Sequence, residues 1–302
     1  MGVLLFFVSL LVCCCGRRGH CAALVTGAKG TTVLYYASTS ELNSYWQSSF
    51  PNRPIPSAIL AHFNAPSGTE RKDQEKEHYW VVSEKLMYPE STFTTGSKII
   101  LYIDRAASLH SAFLRRDVAD SIPMSTENFT DIAGHPHEVV GEQKACATSV
   151  ESMHKFAASA LGTNSLHAFS TSIDVPEEGV RSPSHIYKVS AVRAVTAHGA
   201  NKDASNTVTC HSMSFPFALF YCHAVNPTRI YEVTLQKDEV GAAPAMSRMP
   251  VVVRALAVCH VNTSGFDPTL NYWVKLGLKP GQASVCHFLT RGDVLWTPAL
   301  VA

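Results

Sequence analysis

The spacing of apolar residues along the chain predicts a few helices first and a series of strands afterwards. Ser40–Phe50 and Ala112–Ile122 carry apolar residues at helical spacing, and a proline follows each stretch. A third helix is predicted from Thr148, where Thr148 and Glu151 fit a capping box, to Gly162, a natural helix stop.

Stretches rich in apolar residues, some of them alternating with polar ones, predict strands, most of them in the second half of the chain. The predicted strands are Lys98–Ile103, Ile186–Thr196, Phe217–Val225, Ile230–Leu235, Val251–Val261 and Tyr272–Leu278. Short helices in the N-terminal half followed by strands predict an α+β fold with a β-rich C-terminal sheet region, rather than an alternating α/β fold.

The longest apolar run, Val3–Cys15, predicts a signal peptide over residues 1–23, because it is too short to cross a bilayer. Arg17 and Arg18 follow the run and no basic residue precedes it, so an uncleaved signal anchor is the alternative. The rest of the chain has no run of 18 apolar residues, and we predict no membrane span.

A polar, charge-dense stretch at 66–78 predicts a linker or exposed loop between a variable N-terminal segment (24–90) and a compact domain (91–300). The chain has 302 residues, of which 46% are hydrophobic and 16% charged, so a sizeable core is expected. The formal net charge is +1 with no basic face or arm, which predicts that nucleic acid is not a partner.

Five of the nine cysteines lie outside the signal region, and in an oxidising compartment they are expected to form disulfides rather than to hold zinc as thiolates. They are Cys146, Cys210, Cys222, Cys259 and Cys286. Because five is odd, either Cys146 is free or cleavage before Cys21 leaves a sixth cysteine.

Four of these cysteines are each followed directly by a histidine, at 210–211, 222–223, 259–260 and 286–287. Adjacent residues of a strand point to opposite faces, so strands would send the cysteines to one side and the histidines to the other. A hairpin that turns at Pro216 places Cys210 opposite Cys222 and its two histidines diagonally, about 7 Å apart. Whether the disulfides follow this hairpin or cross to the other two cysteines stays open.

Four imidazoles on one face suit a borderline-soft metal ion. Imidazole binds copper, zinc and nickel, and copper(II) binds most tightly in the common series. The candidate ligands are His211, His223, His260 and His287. The alternative is a core cross-linked by disulfides, in which these histidines only make hydrogen bonds. Imidazoles more than about 10 Å apart would exclude a shared ion, since ligating nitrogens lie about 2 Å from it.

The four dipeptides are separated by 10, 35 and 25 residues, and Trp296 follows after eight more; this arrangement resembles the signature of the plant BURP-domain family. The similarity covers roughly Phe93–Pro298. Other stretches of the chain that resemble the family are Leu114–Ser125, Lys144–Ala157, Ala257–Pro268 and Lys279–Leu289. Two departures are a longer second gap, with the excess at 238–249, and the absence of the cysteine that usually precedes Cys146 by some ten residues.

The resemblance implies a secreted protein of the apoplast, the cell wall or a storage compartment, with a role in development or stress response. Some members are copper-dependent peptide cyclases that cross-link a Tyr or Trp side chain, and in them the Cys-His histidines bind copper. We therefore expect an apoplastic or cell-wall protein with a four-histidine copper site and a cell-wall polysaccharide or peptide as partner. The alternative is a copper-dependent peptide cyclase, although residues 24–92 contain no repeated core peptide.

Three further features carry expectations. Asn128 and Asn262 begin N-glycosylation sequons. Trp296 is expected to pack as an apolar anchor near the strands that carry the metal site. Tyr79 and Trp80, beside the polar stretch, are expected to be packed rather than to serve as targets of cross-linking.

Overall fold

The computed structural model describes most of the region predicted to be compact and parts of the N-terminal segment. Of the predicted signal peptide it describes only Leu10–Leu11, which pair with Leu24–Val25. Residues 66–77, the sequon at Asn128 and the loop at 238–249 lie outside the described residues. The described residues are 10–11, 24–25, 37–63, 78–82, 87–107, 111–120, 139–171, 184–195, 204–213, 215, 217–237 and 252–299.

The described part of the chain contains helices of 4 to 12 residues and strands of 2 to 11 residues. The helices are α1 (Thr39–Ser49), α2 (Ser57–Phe63), α3 (Arg116–Ala119), α4 (Val150–Leu161) and α5 (Asn271–Leu276), with a 3₁₀ turn at Glu90–Thr92. The strands are β1 (Leu10–Leu11), β2 (Leu24–Val25), β3 (His78–Val82), β4 (Tyr88–Pro89), β5 (Lys98–Ala107), β6 (Gln143–Ala147), β7 (Leu166–Phe169), β8 (Ser184–Ala194), β9 (Val208–Met213), β10 (Leu219–Ala224), β11 (Thr228–Lys237), β12 (Val252–His260), β13 (Val285–Phe288) and β14 (Val294–Pro298). In the described part of the chain, no helix has the length and apolar character needed to cross a membrane.

Apart from the short β1–β2 pair, the strands form two antiparallel sheets. The five-stranded sheet has the order β6-β10-β9-β14-β7, and the seven-stranded sheet has the order β3-β5-β8-β11-β12-β13-β4. In the last third of the chain, β9 and β10 lie in the first sheet, β11, β12 and β13 lie in the second, and β14 lies in the first again. The prediction of an α+β fold with a β-rich C-terminal region is confirmed.

The seven-stranded sheet curls around an apolar core on one of its faces. The hydroxyl of Tyr88, on edge strand β4, donates to the carbonyl of Ile100 on β5, near the opposite edge, at 2.7 Å. Phe93 closes this curl against Phe288, with ring centroids 5.4 Å apart. The core inside the curl also holds the side chains of Cys259 and Cys286.

The five-stranded sheet is covered on one face by helices α1, α2 and α4. Helix α1 begins at a capping box, in which the Ser38 side chain accepts from the Glu41 amide, and it buries Leu42 and Trp46. The Trp46 ring lies 6.3 Å from the ring of Trp296 on β14. The predicted helix at Ser40–Phe50 is confirmed to within one residue at each end.

Helix α4 ends where predicted, but a different residue caps its start. Ser149, rather than Thr148, is the N-cap, because its hydroxyl accepts from the Ser152 amide at 3.1 Å. The Ser152 hydroxyl accepts in return from the Ser149 amide, so Glu151 is not the partner. Gly162 ends the helix at φ 67°, a left-handed conformation that glycine adopts without steric cost.

Two predicted elements are wrong. Tyr272–Leu278 is not a strand: Asn271–Leu276 form helix α5, which buries Trp273, and Gly277 ends it at φ 64°. A short apolar run fits both the helical and the strand period, so its pattern could not separate the two.

The helix predicted over Ala112–Ile122 is reduced to the single turn α3. The residues before α3 make backbone hydrogen bonds to distant parts of the chain instead: the carbonyl of Ala112 accepts from the Ala218 amide, and that of Phe113 accepts from the Ala37 amide.

The predicted polar loop also ends one residue earlier than expected. His78 is not part of it, because His78 begins strand β3 and pairs with Ala107.

Candidate metal centre

Each Cys-His dipeptide lies on a strand, directly beside a second dipeptide on the neighbouring strand. In the five-stranded sheet, Cys210 on β9 is opposite Cys222 on β10. In the seven-stranded sheet, Cys259 on β12 is opposite Cys286 on β13. The predicted register of the first hairpin is therefore the observed one, although Pro216 itself lies outside the described residues.

Two cross-strand disulfides join these opposed cysteines, with S–S distances of 2.07 Å for Cys210–Cys222 and 2.01 Å for Cys259–Cys286. The register resolves the pairing that the sequence left open, because the Cα atoms of each pair are only 3.9 Å apart and the two pairs belong to different sheets. All four cysteines are fully buried. Their sulfurs are therefore not available as ligands.

Strand alternation turns the four histidines away from the disulfides and into the space between the two sheets. The sequence suggested one common face, whereas two histidines come from each of two facing sheets. The rings form a closed circuit in which neighbouring centroids are 5.2 to 6.4 Å apart, inside the 10 Å limit set above. The distances are 5.2 Å for His211–His223, 6.4 Å for His223–His260, 5.5 Å for His260–His287 and 5.7 Å for His211–His287.

The ring nitrogens on the outside of this circuit have polar neighbours. His223 Nδ1 lies 2.8 Å from Glu142 Oε1, and His211 Nδ1 lies 3.3 Å from Asp293 Oδ2. His260 Nδ1 lies 3.3 Å from the carbonyl oxygen of Val225. On the inside, the Nε2 atoms of His211 and His223 face each other at 3.2 Å.

Burial makes these histidines weak bases. Burial, with smaller contributions from neighbouring imidazoles, lowers the pKa of His260 to about 4 and holds the pKa of His287 well below its ordinary value. Burial also lowers the pKa of His223, although its hydrogen bond to Glu142 opposes the shift. Neutral imidazole is the form that binds metal ions, so these three rings are in their ligating form at neutral pH.

The distances can be compared with those that a bound ion requires. Two nitrogens that each lie about 2.0 Å from one ion in a tetrahedral arrangement are about 3.3 Å apart, and the two ring centroids are then about 5 Å apart. The His211–His223 pair meets both values, at 3.2 Å and 5.2 Å. The other spacings are wider, and no group of three or more His, Cys, Asp or Glu among the described residues has the arrangement of a formed metal site. The donor set fits copper chemically, because imidazole nitrogen is one of the ligands that copper prefers.

Access to the cluster differs between the two sheets. The side chains of His211 and His223 are 14% and 15% exposed. The residues His260 and His287 are 6% and 8% exposed. In the burial classes of whole residues, His211 and His223 are intermediate, whereas His260 and His287 are buried.

Tyr221 lies beside this cluster on the same strand as His223. Its ring stacks on that of His223, with centroids 5.2 Å apart and planes 29° apart, and its hydroxyl donates to Glu142 Oε1 at 3.1 Å. Burial, together with the charge of Glu142, raises the pKa of Tyr221, so its phenol stays protonated. Cys146 is the cross-strand neighbour of Tyr221; it forms no disulfide with any described residue, and burial raises its pKa to about 12.

Sequence reasoning missed Glu142 and Asp293, the two carboxylates next to the cluster. Neither belongs to a periodic pattern: Glu142 precedes β6, and Asp293 lies in the turn before β14. Asp293 is fully buried and accepts from the backbone amides of Ser212 and Thr290. The signal available in the sequence was that each lies close to a recognised motif, Glu142 just before Cys146 and Asp293 just before Trp296.

Trp296 is fully buried, but on the disulfide face of the five-stranded sheet rather than on the histidine face. It lies opposite Val208 on β9, two residues along the strand from the level of Cys210. Its ring stacks on that of His154 from α4, with planes 15° apart. It therefore anchors the helices to the sheet, on the face opposite the histidine cluster.

The sequon residue Asn262 lies just after β12 and is exposed. Its side-chain oxygen accepts hydrogen bonds from the amide and the hydroxyl of Ser264. Its proximity to His260 therefore does not bury it.

Comparison with known proteins adds independent information. The sequence model of the BURP domain matches residues 134–298. Among curated proteins of Oryza sativa subsp. japonica, the chain is 36% identical to BURP domain-containing protein 11 over 67% of this chain and 72% of that protein. It is 31% identical to BURP domain-containing protein 2 over 92% and 98% of the respective chains. It is 33% identical to BURP domain protein RD22 of Arabidopsis thaliana over 62% of this chain and 48% of that protein, so the match spans about half of that relative's length.

Proposed function

The chain belongs to the BURP-domain family of plants, and from this premise we propose that it is a secreted apoplastic or cell-wall protein whose four Cys-His histidines bind copper. Its biological role, in this proposal, lies in development or in the response to stress. Its partner is a cell-wall polysaccharide or a peptide.

The observation that carries the proposal is the convergence of four imidazoles between two sheets. Two come from each sheet, at neighbouring centroid distances of 5.2 to 6.4 Å. A buried histidine that only fills a core needs no second histidine beside it. The four adjacent imidazoles are weak bases, so they supply nitrogen ligands for a metal ion without adding charge. Copper(II) is the divalent ion that such donors bind most tightly in the common series.

The disulfides support the same proposal in two ways. They remove four sulfurs that would otherwise compete as soft ligands, so nitrogen is the donor that remains. Buried disulfides are also typical of proteins that fold in an oxidising compartment, which fits secretion.

The residues of the chain have separate roles in this proposal. His211, His223, His260 and His287 would hold copper, which when bound supplies one-electron redox chemistry. The disulfides fix the spacing of each histidine pair. The apolar residues between the sheets exclude water from one side of the cluster, and they are Ile230, Val258, Leu289 and Leu295.

A peptide cyclase is the alternative, and it would use the same histidines. Such a cross-link removes two hydrogens from the peptide, a two-electron oxidation that is balanced when dioxygen is reduced to hydrogen peroxide. The N-terminal aromatic residues with described side chains are poor targets, because Trp46 is 1% exposed and the Tyr45 hydroxyl is bonded to His154 Nδ1 at 2.7 Å. Trp80 lies in strand β3, paired with Arg105. Among the described N-terminal side chains no target is therefore favoured, and the substrate that this alternative proposes is a separate peptide.

Metal analysis of the secreted protein tests the copper site. Wild-type protein loaded with copper(II) and desalted should retain copper, and His211→Ala and His260→Ala, which remove one imidazole from each sheet, should both lose it. His167→Ala is the matched control, since His167 lies on β7 and is not among the four clustered rings. Folded wild type that retains no copper would refute the proposed site. Mass spectrometry of copper-loaded protein with tyrosine-bearing peptides then tests the alternative, because a cyclase produces a loss of two hydrogens.

A further inference from the structure

We propose that Glu142 and Asp293 are positioning residues of the copper site, which orient His223 and His211 so that their Nε2 atoms point at the ion. The inference rests on the proposed function for the metal itself, but the two contacts that it invokes exist without metal. They are the hydrogen bond between His223 and Glu142 and the 3.3 Å approach of His211 Nδ1 to Asp293 Oδ2. In this inference His211 and His223, the two histidines of the five-stranded sheet, contribute most of the affinity for the ion.

Glu142 has the more direct geometry. A carboxylate only accepts, so His223 Nδ1 donates to Glu142 Oε1 at 2.8 Å, and the remaining nitrogen, Nε2, is left with its lone pair. The Tyr221 hydroxyl donates to the same oxygen at 3.1 Å and fixes the carboxylate in place.

Asp293 is held more rigidly. Its Oδ1 accepts from the Ser212 amide at 3.2 Å, and its Oδ2 accepts from the Thr290 amide at 2.7 Å. Oδ2 also lies 3.3 Å from His211 Nδ1. A fully buried carboxylate fixed by two backbone amides has little freedom, so His211 must turn to suit Asp293 rather than the reverse.

The two histidine pairs differ in their support. His211 and His223 each face a carboxylate, whereas His260 faces the carbonyl of Val225. Partners of this kind fix ring orientation and raise ligand basicity, and removing one typically lowers metal affinity by about 10 to 100-fold. The carboxylate-supported pair should therefore dominate affinity.

The contact between Nε2 atoms fits this picture. At 3.2 Å these two nitrogens face each other, so both rings present Nε2 to the same point.

Copper(II) affinity, measured by competition with a chelator, tests the role of Glu142. Glu142→Ala should bind copper about 10 to 100-fold more weakly than wild type, and Glu142→Gln, which keeps an acceptor oxygen, should retain part of the affinity. Glu151→Gln, on α4, is the matched carboxylate control and should equal wild type. Thermal unfolding with the disulfides intact checks that each variant is folded.

Nitrogen-15 NMR of the metal-free protein tests the orientation without any metal. His223 Nδ1 should be protonated in wild type, and in Glu142→Ala the proton should move to Nε2, the tautomer that a free histidine prefers. His211 Nδ1 should be protonated as well if Asp293 orients it.

The outcomes separate the inference from the proposed function. An affinity of Glu142→Ala within twofold of wild type, or an unprotonated His223 Nδ1 in wild type, would overturn the positioning role. Wild type that binds no copper but shows the predicted tautomers would refute the proposed function and leave the positioning of these rings by the two carboxylates supported.

Discussion

A buried histidine outside the candidate site should make the stability of the metal-free protein depend on pH. His62, on α2, is fully buried, and its ring packs 5.4 Å from that of Phe113 and 5.0 Å from that of Phe220. Its Nδ1 donates to the Ser111 carbonyl at 2.7 Å, which leaves Nε2 to accept from the Ser212 hydroxyl at 3.2 Å. This arrangement holds only a neutral imidazole, because a second proton would remove the acceptor.

The magnitude follows from linkage. Burial lowers the pKa of His62 to about 4, although its backbone hydrogen bond to Ser111 opposes the shift. In the unfolded chain the pKa is about 6.5. Protons therefore bind more readily to the unfolded state, so the contribution to stability is fully present above pH 6.5 and is lost as the pH falls towards 4. At pH 5 the loss relative to pH 8 is about 2 kcal/mol.

Urea unfolding in EDTA at pH 8 and pH 5 measures this contribution. His62→Gln keeps a donor and an acceptor but does not titrate, so its free energy of unfolding should fall by about 2 kcal/mol less than that of wild type between the two pH values. The histidines of the cluster titrate in both proteins and cancel in the difference. His167→Gln, at a less buried site, should behave nearly like wild type. Equal pH dependence in wild type and His62→Gln would refute the reasoning.

Four other predictions test the packing, the disulfides, the metal and the sequon. Trp296→Ala should lower the free energy of unfolding by about 3 to 5 kcal/mol in urea titrations, since the side chain is fully buried, and a loss below 1 kcal/mol would contradict its anchoring role. Replacing both cysteines of the 259–286 disulfide by alanine should cost about 3 to 4 kcal/mol by loop entropy, because the bond closes a separation of 27 residues; unchanged stability would contradict it. Copper(II) at 100 times its Kd should add about 2.7 kcal/mol of stability in thermal unfolding and EDTA should remove the gain, whereas no shift would count against binding to the folded state. Asn262→Gln, expressed in plant cells, should lower the mass by one N-glycan, and an unchanged mass would show that the site is not used.

Much of the fold follows from local pattern. Strands were predicted over two of the four dipeptides, at Phe217–Val225 and Val251–Val261, because apolar runs bounded by turn residues are a local property. The register of β9 with β10 followed from the turn position. Local pattern failed at Tyr272–Leu278, where a short run fits both periods. It also failed at Ala112 and Phe113, whose carbonyls bond to residues far away in the chain. No local pattern pointed to Glu142 or Asp293, because the role of a single polar residue in a turn depends on which residues lie near it in the folded structure.

The sequence by itself determined that each cysteine and its histidine point in opposite directions, because neighbouring side chains on a strand alternate, and it determined which family the chain resembles. Tertiary structure decided the rest. It placed β9 and β10 in one sheet and β12 and β13 in another, and so made the disulfides local to each sheet while the imidazoles met between them. The physical reason is that alternation is fixed by the backbone of one strand, whereas the meeting of two faces depends on how sheets distant in sequence pack against each other.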